Sequence, residues 1–404
     1  MSTKFPGGVI SKTAPTVVGP VGGEGGSAPG VWTLDQAEWY ISQGLWPKPI
    51  IPKQLWSWGY NAFGQLGLGN TTYYSSPKQV GALTSWLSVA CGNIHTVSIK
   101  TDGTLWSWGY NAEGELGLNN TTNYSSPKQV GALTNWSSVS CGGNHTVSIK
   151  TNGTLWSWGR NTEGQLGLSN TYNYSSPTQV GALTNWSSVS CGYRHTVSIK
   201  TDGTLWSWGL NNYGQLGQGN TTNLSSPKQV GALTNWSSVS CGTYHTVSIK
   251  TDGTLWSWGR NNLGQLGQGN VTNYSSPKQV GALTNWSSVS CGYAHTVSIK
   301  TDGSLWSWGY NNAGQLGQGN ITNYSSPKQV GALTNWSSVS CGDQHTVSIK
   351  TDGTLWSWGQ NAYGQLGLGN TTNYSSPKQV GALTSWTKLF KGSTTNSTLA
   401  IKSS

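Results

Sequence analysis

HTVSIKTDGTLWSWG, residues 195–209, recurs letter for letter at 95–109, 245–259 and 345–359. HTVSIK and LWSWG both alternate β-branched or aromatic residues with small polar ones, the period of a strand. Asp202-Gly203 between them is a strong hairpin signal. Working outward, WSSVSC is a further short alternating run, ended by a glycine (Gly92 and its equivalents). PKQV is a fourth, and its proline suits the start of an outer strand. LWSWG begins at Leu55, Leu105, Leu155, Leu205, Leu255, Leu305 and Leu355, a step of fifty residues. Four strands per unit in seven units predicts an all-β fold, a seven-bladed β-propeller. A solenoid is the alternative, but it requires capping repeats.

The two ends bear on closure. The first copy starts at LWSWG, in mid-blade, and the last ends before any further LWSWG. Residues 386–402 therefore supply two strands of a blade and residues 55–80 the other two. This two-plus-two closure leaves no free sheet edge. The expected division is a Gly/Pro-rich linker over 1–30, a short helical or extended segment over 31–54 and the propeller over 55–404.

Composition narrows the function. Of 404 residues only 8% are charged, against ~25% in typical domains. The net charge of +10 reflects 12 acids rather than a dense set of bases, so nucleic acid is not an expected partner. No apolar run approaches the ~18 residues of a membrane span, and residues 1–30 hold no signal-peptide core. No Ser-His-Asp set, paired carboxylates or phosphate loop stands apart from the repeat, so no catalytic residue and no cofactor is assigned. The six Cys-Gly-x-x-His motifs give one Cys and one His per unit. A metal site needs about four converging ligands, so no metal is assigned. Cys is read as a small buried residue and His as a hydrogen-bonded one. The three Trp per unit are expected between blades, and the lysines around Lys100 and Lys150 on a solvated rim.

The stretch LWSWGxNxxGQLGxGN followed by GxxHTVSIKTDGTLWSWG resembles the regulator-of-chromosome-condensation (RCC1) repeat over residues 55–404. The resemblance implies a propeller and says little about function. Plant UV-B receptors share the family, but their Trp before the repeat His is missing here, as in Tyr193-Arg194-His195.

Near-identical units permit an internal comparison, and their differences fall mainly in two windows. One follows LWSWG: Tyr60 and Phe63, Tyr110 and Glu113, Arg160 and Glu163, Leu210 and Tyr213, Arg260, Tyr310, then Gln360 and Tyr363. The other precedes His: Tyr193-Arg194, Tyr244, Tyr293 and Asp343-Gln344. Antiparallel order places both windows on one face of the disc and the TDG and GALTNW turns on the other. All three arginines lie in these windows. Tyr and Arg favour contact surfaces, so these eighteen residues form the candidate binding set. Drift at tolerant loop tips is the competing explanation.

Residues 31–47, VWTLDQAEWYISQGLWP, carry Thr33 and Gln36 as a capping box and a stop at Gly44 and Pro47. They resemble a tag in structural proteins of marine tailed phages. The resemblance implies a non-enzymatic virion protein, made in the host cytoplasm: a tail-fibre or appendage adhesin. Trp32, Leu34, Trp39, Ile41 and Trp46 would join it to other virion proteins, with residues 1–54 as the attachment. The variable face would meet a host-surface receptor or glycan. An oligomer is compatible with this reading. The alternatives are a capsid or tail decoration protein without a receptor, and an intracellular protein-interaction hub.

Overall fold

The computed structural model describes residues 52–390 and 392–403, together with Asp35, Glu38, Trp39, Ser42 and Gln43. Residues 53–403 form one compact unit and residues 1–52 belong to another. The linker expected over 1–30 lies outside the described residues, as do Trp32, Leu34, Ile41 and Trp46. The elements of the described chain are all strands, so the expected N-terminal helix is not supported. Trp39, the one described member of the attachment set, is exposed.

The strands open with β1 (Lys53–Gly59), β2 (Tyr74–Gln79), β3 (Trp86–Cys91), β4 (His95–Lys100), β5 (Leu105–Gly109) and β6 (Tyr124–Gln129). The last four recur at fifty-residue steps up to β26 (Tyr374–Gln379), followed by β27 (Trp386–Leu389) and β28 (Ser397–Ser403). They make seven four-stranded sheets. Six are continuous in sequence: blade 1 is β3–β6, and blades 2 to 6 follow in order. The seventh runs β2-β1-β28-β27, so the chain ends meet in one blade as the sequence predicts. β1 pairs with β28 along its whole length, from Lys53 opposite Ser403 to Gly59 opposite Ser397.

Tryptophan holds the blades together. Trp186 and Trp208 of blade 3 pack on Val147, Ile149, Leu155 and Val180 of blade 2. Trp208 is fully buried, and its indole N–H donates to the Gln165 carbonyl of blade 2 at 2.9 Å. The same bond recurs from Trp58 to Gln365 across the closing blade, at 3.0 Å. One Trp of this size removes on the order of 150–250 Å² from water, and the inter-blade role read from the sequence holds.

The long loop after each LWSWG is built from its constant letters. Asn161 Oδ1 accepts the Leu166 N–H at 2.9 Å, and its Nδ2 donates to the Asn170 carbonyl at 3.0 Å. Gly164 has φ +79°, and a Cβ there would lie 2.5 Å from Ser225 Cα of the next blade. The conserved loop frame thus seats each loop on its neighbour and leaves the other loop positions free to vary.

Candidate binding face

The two variable windows meet as expected. Arg160 N donates to the Asn144 carbonyl, Leu210 N to Arg194 and Gln360 N to Gln344, each at 2.8 Å. At the other end of the blade the TDG turn meets the GALTNW link. Thr151 N donates to the Asn135 carbonyl at 2.8 Å, and Trp186 N to Gly153 at 3.1 Å.

On the variable face, residues of one blade reach the next and find a specific partner. Phe63 packs edge-on against Tyr110, with ring centroids 5.1 Å apart. Glu113 pairs with Arg160 at 3.6 Å, and Glu163 with Arg194 at 3.4 Å. Tyr213 lies under the Arg260 guanidinium, 5.0 Å from ring centroid to Cζ. The Tyr363 and Tyr60 rings meet at a tilt of 60°, with centroids 4.9 Å apart. Tyr244 contacts Tyr213 at 5.4 Å and Tyr193 at 6.2 Å. Much of the candidate set therefore complements itself across blade junctions.

The remaining candidates divide by burial. Leu210 is only 7% exposed, so its side chain offers almost no surface to a partner. Tyr293 and Tyr310 are half-buried on the same face. Gln344 Nε2 donates to Asp343 at 3.4 Å, and Gln360 accepts from Gln365 Nε2 at 3.5 Å. Burial pushes the Asp343 carboxyl up to about 6.

Sequence reasoning passed over five residues here. Tyr73 completes an aromatic trio, 5.0 Å from Tyr60 and 5.8 Å from Tyr363. Tyr172, Val271 and Ile321 are among the most exposed apolar side chains of the described chain. Their signal lay in the milder variation around residues 71–74 and its equivalents. Glu115 replaces the Gln found at this position in the other six loops. It is fully buried. Its carboxylate accepts Glu113 N–H at 2.9 Å and Asn144 Nδ2 at 3.1 Å, and burial raises it to about 7.

The repeated His and Cys serve the scaffold. His195 Nε2 lies 3.2 Å from Thr246 Oγ1 of the next blade, and that hydroxyl donates its own proton to the Gln215 carbonyl. The imidazole must therefore carry its proton on Nε2 and donate it. Burial holds His195 neutral, near 3. All six cysteines are free and buried, and burial raises their thiols. No group of three or more metal-binding side chains occurs among the described residues. The lysines correct one expectation. Lys200 is 6% exposed, not on a solvated rim. Its ammonium lies 3.7 Å from the Trp206 ring centroid and 4.8 Å from that of Trp186, a cation–π clamp.

Comparison with known proteins follows this architecture. A family model described as the RCC1-like domain matches residues 52–347, and RCC1-repeat models match 336–365 and 352–397. The zebrafish (Danio rerio) protein RCC2 homolog is 43% identical over 54 residues, 13% of this chain and 11% of that protein. Prp20p of Saccharomyces cerevisiae superposes with a TM-score of 0.79 at 22% identity, covering 88% of this chain and 92% of that one. Human WBSCR16 gives 0.78 at 22% identity, covering 87% and 99%. At such identities the likeness concerns the fold. With the family model spanning most of the blades, the chain belongs to the RCC1-like domain family.

Proposed function

We propose that this chain is a non-enzymatic binding protein that presents the variable face to a partner. One observation carries the reading: units otherwise almost identical concentrate their differences on a single face. The opposite turns keep the same residues in almost every blade. Tyr and Arg dominate the variable set, and both contribute disproportionately to binding energy.

In the finer form of this reading, the protein is a virion appendage. Residues 1–54 attach it to other virion proteins, and the face meets a host-surface receptor or glycan. Weak single contacts gain strength when several copies act together. The support is the phage-like tag and the near-identity of the repeats, a pattern of recent duplication. Mass spectrometry of density-purified particles tests it. Stoichiometric presence at low copy number against the major capsid protein is expected, and absence from particles overturns the virion role.

A second reading, an intracellular interaction hub, draws on the structural relatives. Prp20p was studied for its binding to Gsp1p and histones, and yeast RCC1 was solved bound to Kap60. Both readings use the face. The triple variant Tyr193→Ser, Arg194→Asn, Tyr213→Ala should lose the partner and keep its fold. Unchanged adsorption or capture by that variant removes the face from the function.

A further inference from the structure

We propose that Arg260 with Tyr213 and Tyr244 forms a site for an acidic sugar, a pyranose ring bearing a carboxylate. This rests on the reading of the face as a binding surface and names its ligand chemistry.

Arg160 and Arg260 occupy the same position of the repeat, after LWSWG, while Arg194 lies in the window before His195, and the three meet different partners. Arg160 is held by Glu113 at 3.6 Å, and its Nε donates to Thr162 Oγ1 at 3.1 Å. Arg194 is held by Glu163 at 3.4 Å. Where those two have a glutamate on the preceding loop, Arg260 has Tyr213. Among the described residues, no carboxylate lies within ion-pair distance of Arg260 and no side-chain hydrogen bond engages it. Its guanidinium rests 5.0 Å from the Tyr213 ring centroid and 5.7 Å from that of Tyr244. Tyr244 is in turn braced edge-on by Tyr193 at 6.2 Å.

This arrangement leaves five N–H donors uncommitted on a half-buried planar cation. A guanidinium is suited to a carboxylate, which accepts two parallel hydrogen bonds. The contacts with the two tyrosine rings hold the guanidinium near the face before a ligand arrives, which lowers the ordering cost. The tyrosines add flat apolar rings with hydroxyl tips, and a pyranose offers a flat C–H face with a hydroxyl rim.

The test is calorimetric titration of the full chain with sialyllactose and a galacturonate trimer, against lactose and the methyl-esterified trimer. At least one acidic probe should bind, with its neutral counterpart at least about tenfold weaker. Arg260→Gln should lose at least about tenfold and Arg260→Lys less, because the ammonium keeps charge without the fork. Arg160→Gln, whose cation is already paired, should change affinity by less than about threefold. Thermal unfolding of each variant should stay near wild type, which separates ligand loss from unfolding. Binding of neither acidic probe, equal binding of the neutral ones, equal loss in the two Gln variants, or full competition by inorganic sulfate overturns the proposal. If Arg260→Gln changes nothing while the triple variant still abolishes partner capture, this site fails and the binding face stands.

Discussion

The TDG turns and the variable loops sit at opposite ends of the same strands, yet they treat sequence differently. At the turn, Asp202 Oδ1 accepts from Thr204 N at 3.0 Å and from its hydroxyl at 2.6 Å, and Trp206 Nε1 donates to that hydroxyl at 2.9 Å. Gly203 has φ +75°, and a Cβ would meet the Thr234 carbonyl at 2.1 Å. Each position there has a fixed hydrogen-bonding role, and the two substitutions that occur keep it: Asn152 accepts from Thr154 as Asp202 does from Thr204, and Ser304 takes the place of the threonine. In the loops the fold is held by Asn161, Gly164 and Gln165, and the positions between them need only suit one neighbour. Phe63 with Tyr110 and Glu113 with Arg160 are different solutions to one junction. Constancy marks residues the scaffold requires in every blade, and variation marks positions that answer only to one neighbour.

The largest expected effect lies on the constant side. Trp208→Ala should cost about 3–5 kcal/mol, measured by denaturant unfolding, because it empties the seam between blades 2 and 3. Next, Gly203→Ala should cost more than Gly231→Ala. Both have positive φ, but a Cβ at Gly231 meets nothing within 4 Å. Two to three kcal/mol for the first and about 1 kcal/mol for the second are the expected orders. Equal costs would mean that the Thr234 carbonyl moves freely aside.

Titration sharpens the comparison further. The Glu115 carboxyl rises from 4.5 to about 7 in the folded chain. The folded state then keeps a proton that the unfolded chain releases. This contribution to stability is present below pH 4.5 and is lost as pH rises to about 7. Glu115→Gln should reduce that decline and raise the melting temperature at pH 8. The buried histidines act in the opposite sense, since His195 falls from 6.5 to about 3. Stability should therefore also fall as pH drops through that range, in the variant as in the wild type. The smallest effect belongs to the variable ion pairs. A double-mutant cycle on Glu163 and Arg194 should give about 0.2–1 kcal/mol, the value of a part-exposed pair.

Much of this was legible in the letters. The fifty-residue step, the strand periods and the split ends gave seven blades and the closing order of β2, β1, β28 and β27, because strand alternation and closure are local or counting problems. The placement of both windows on one face followed from antiparallel pairing. The junction pairs were less visible, although Phe63 and Tyr110, Glu113 and Arg160, and Tyr213 and Arg260 share one spacing of 47 residues. Reading them requires knowing that each loop leans on the next blade. Lys200 was misplaced because strand alternation says which side a residue faces, not that two indoles roof it. The low exposure of Leu210 is likewise invisible in the letters, since loop depth has no periodicity.

The central claim is that the variable face binds and the constant face carries the fold. Binding of the full chain to an immobilised glycan and protein array, in three forms, tests it most directly. The forms are the wild type, the triple variant at Tyr193, Arg194 and Tyr213, and a constant-face variant, Asp202→Asn with Asp252→Asn. The account predicts that wild-type signals vanish in the triple variant and survive in the constant-face variant. Survival in the triple variant, or loss confined to the constant-face variant, would contradict it.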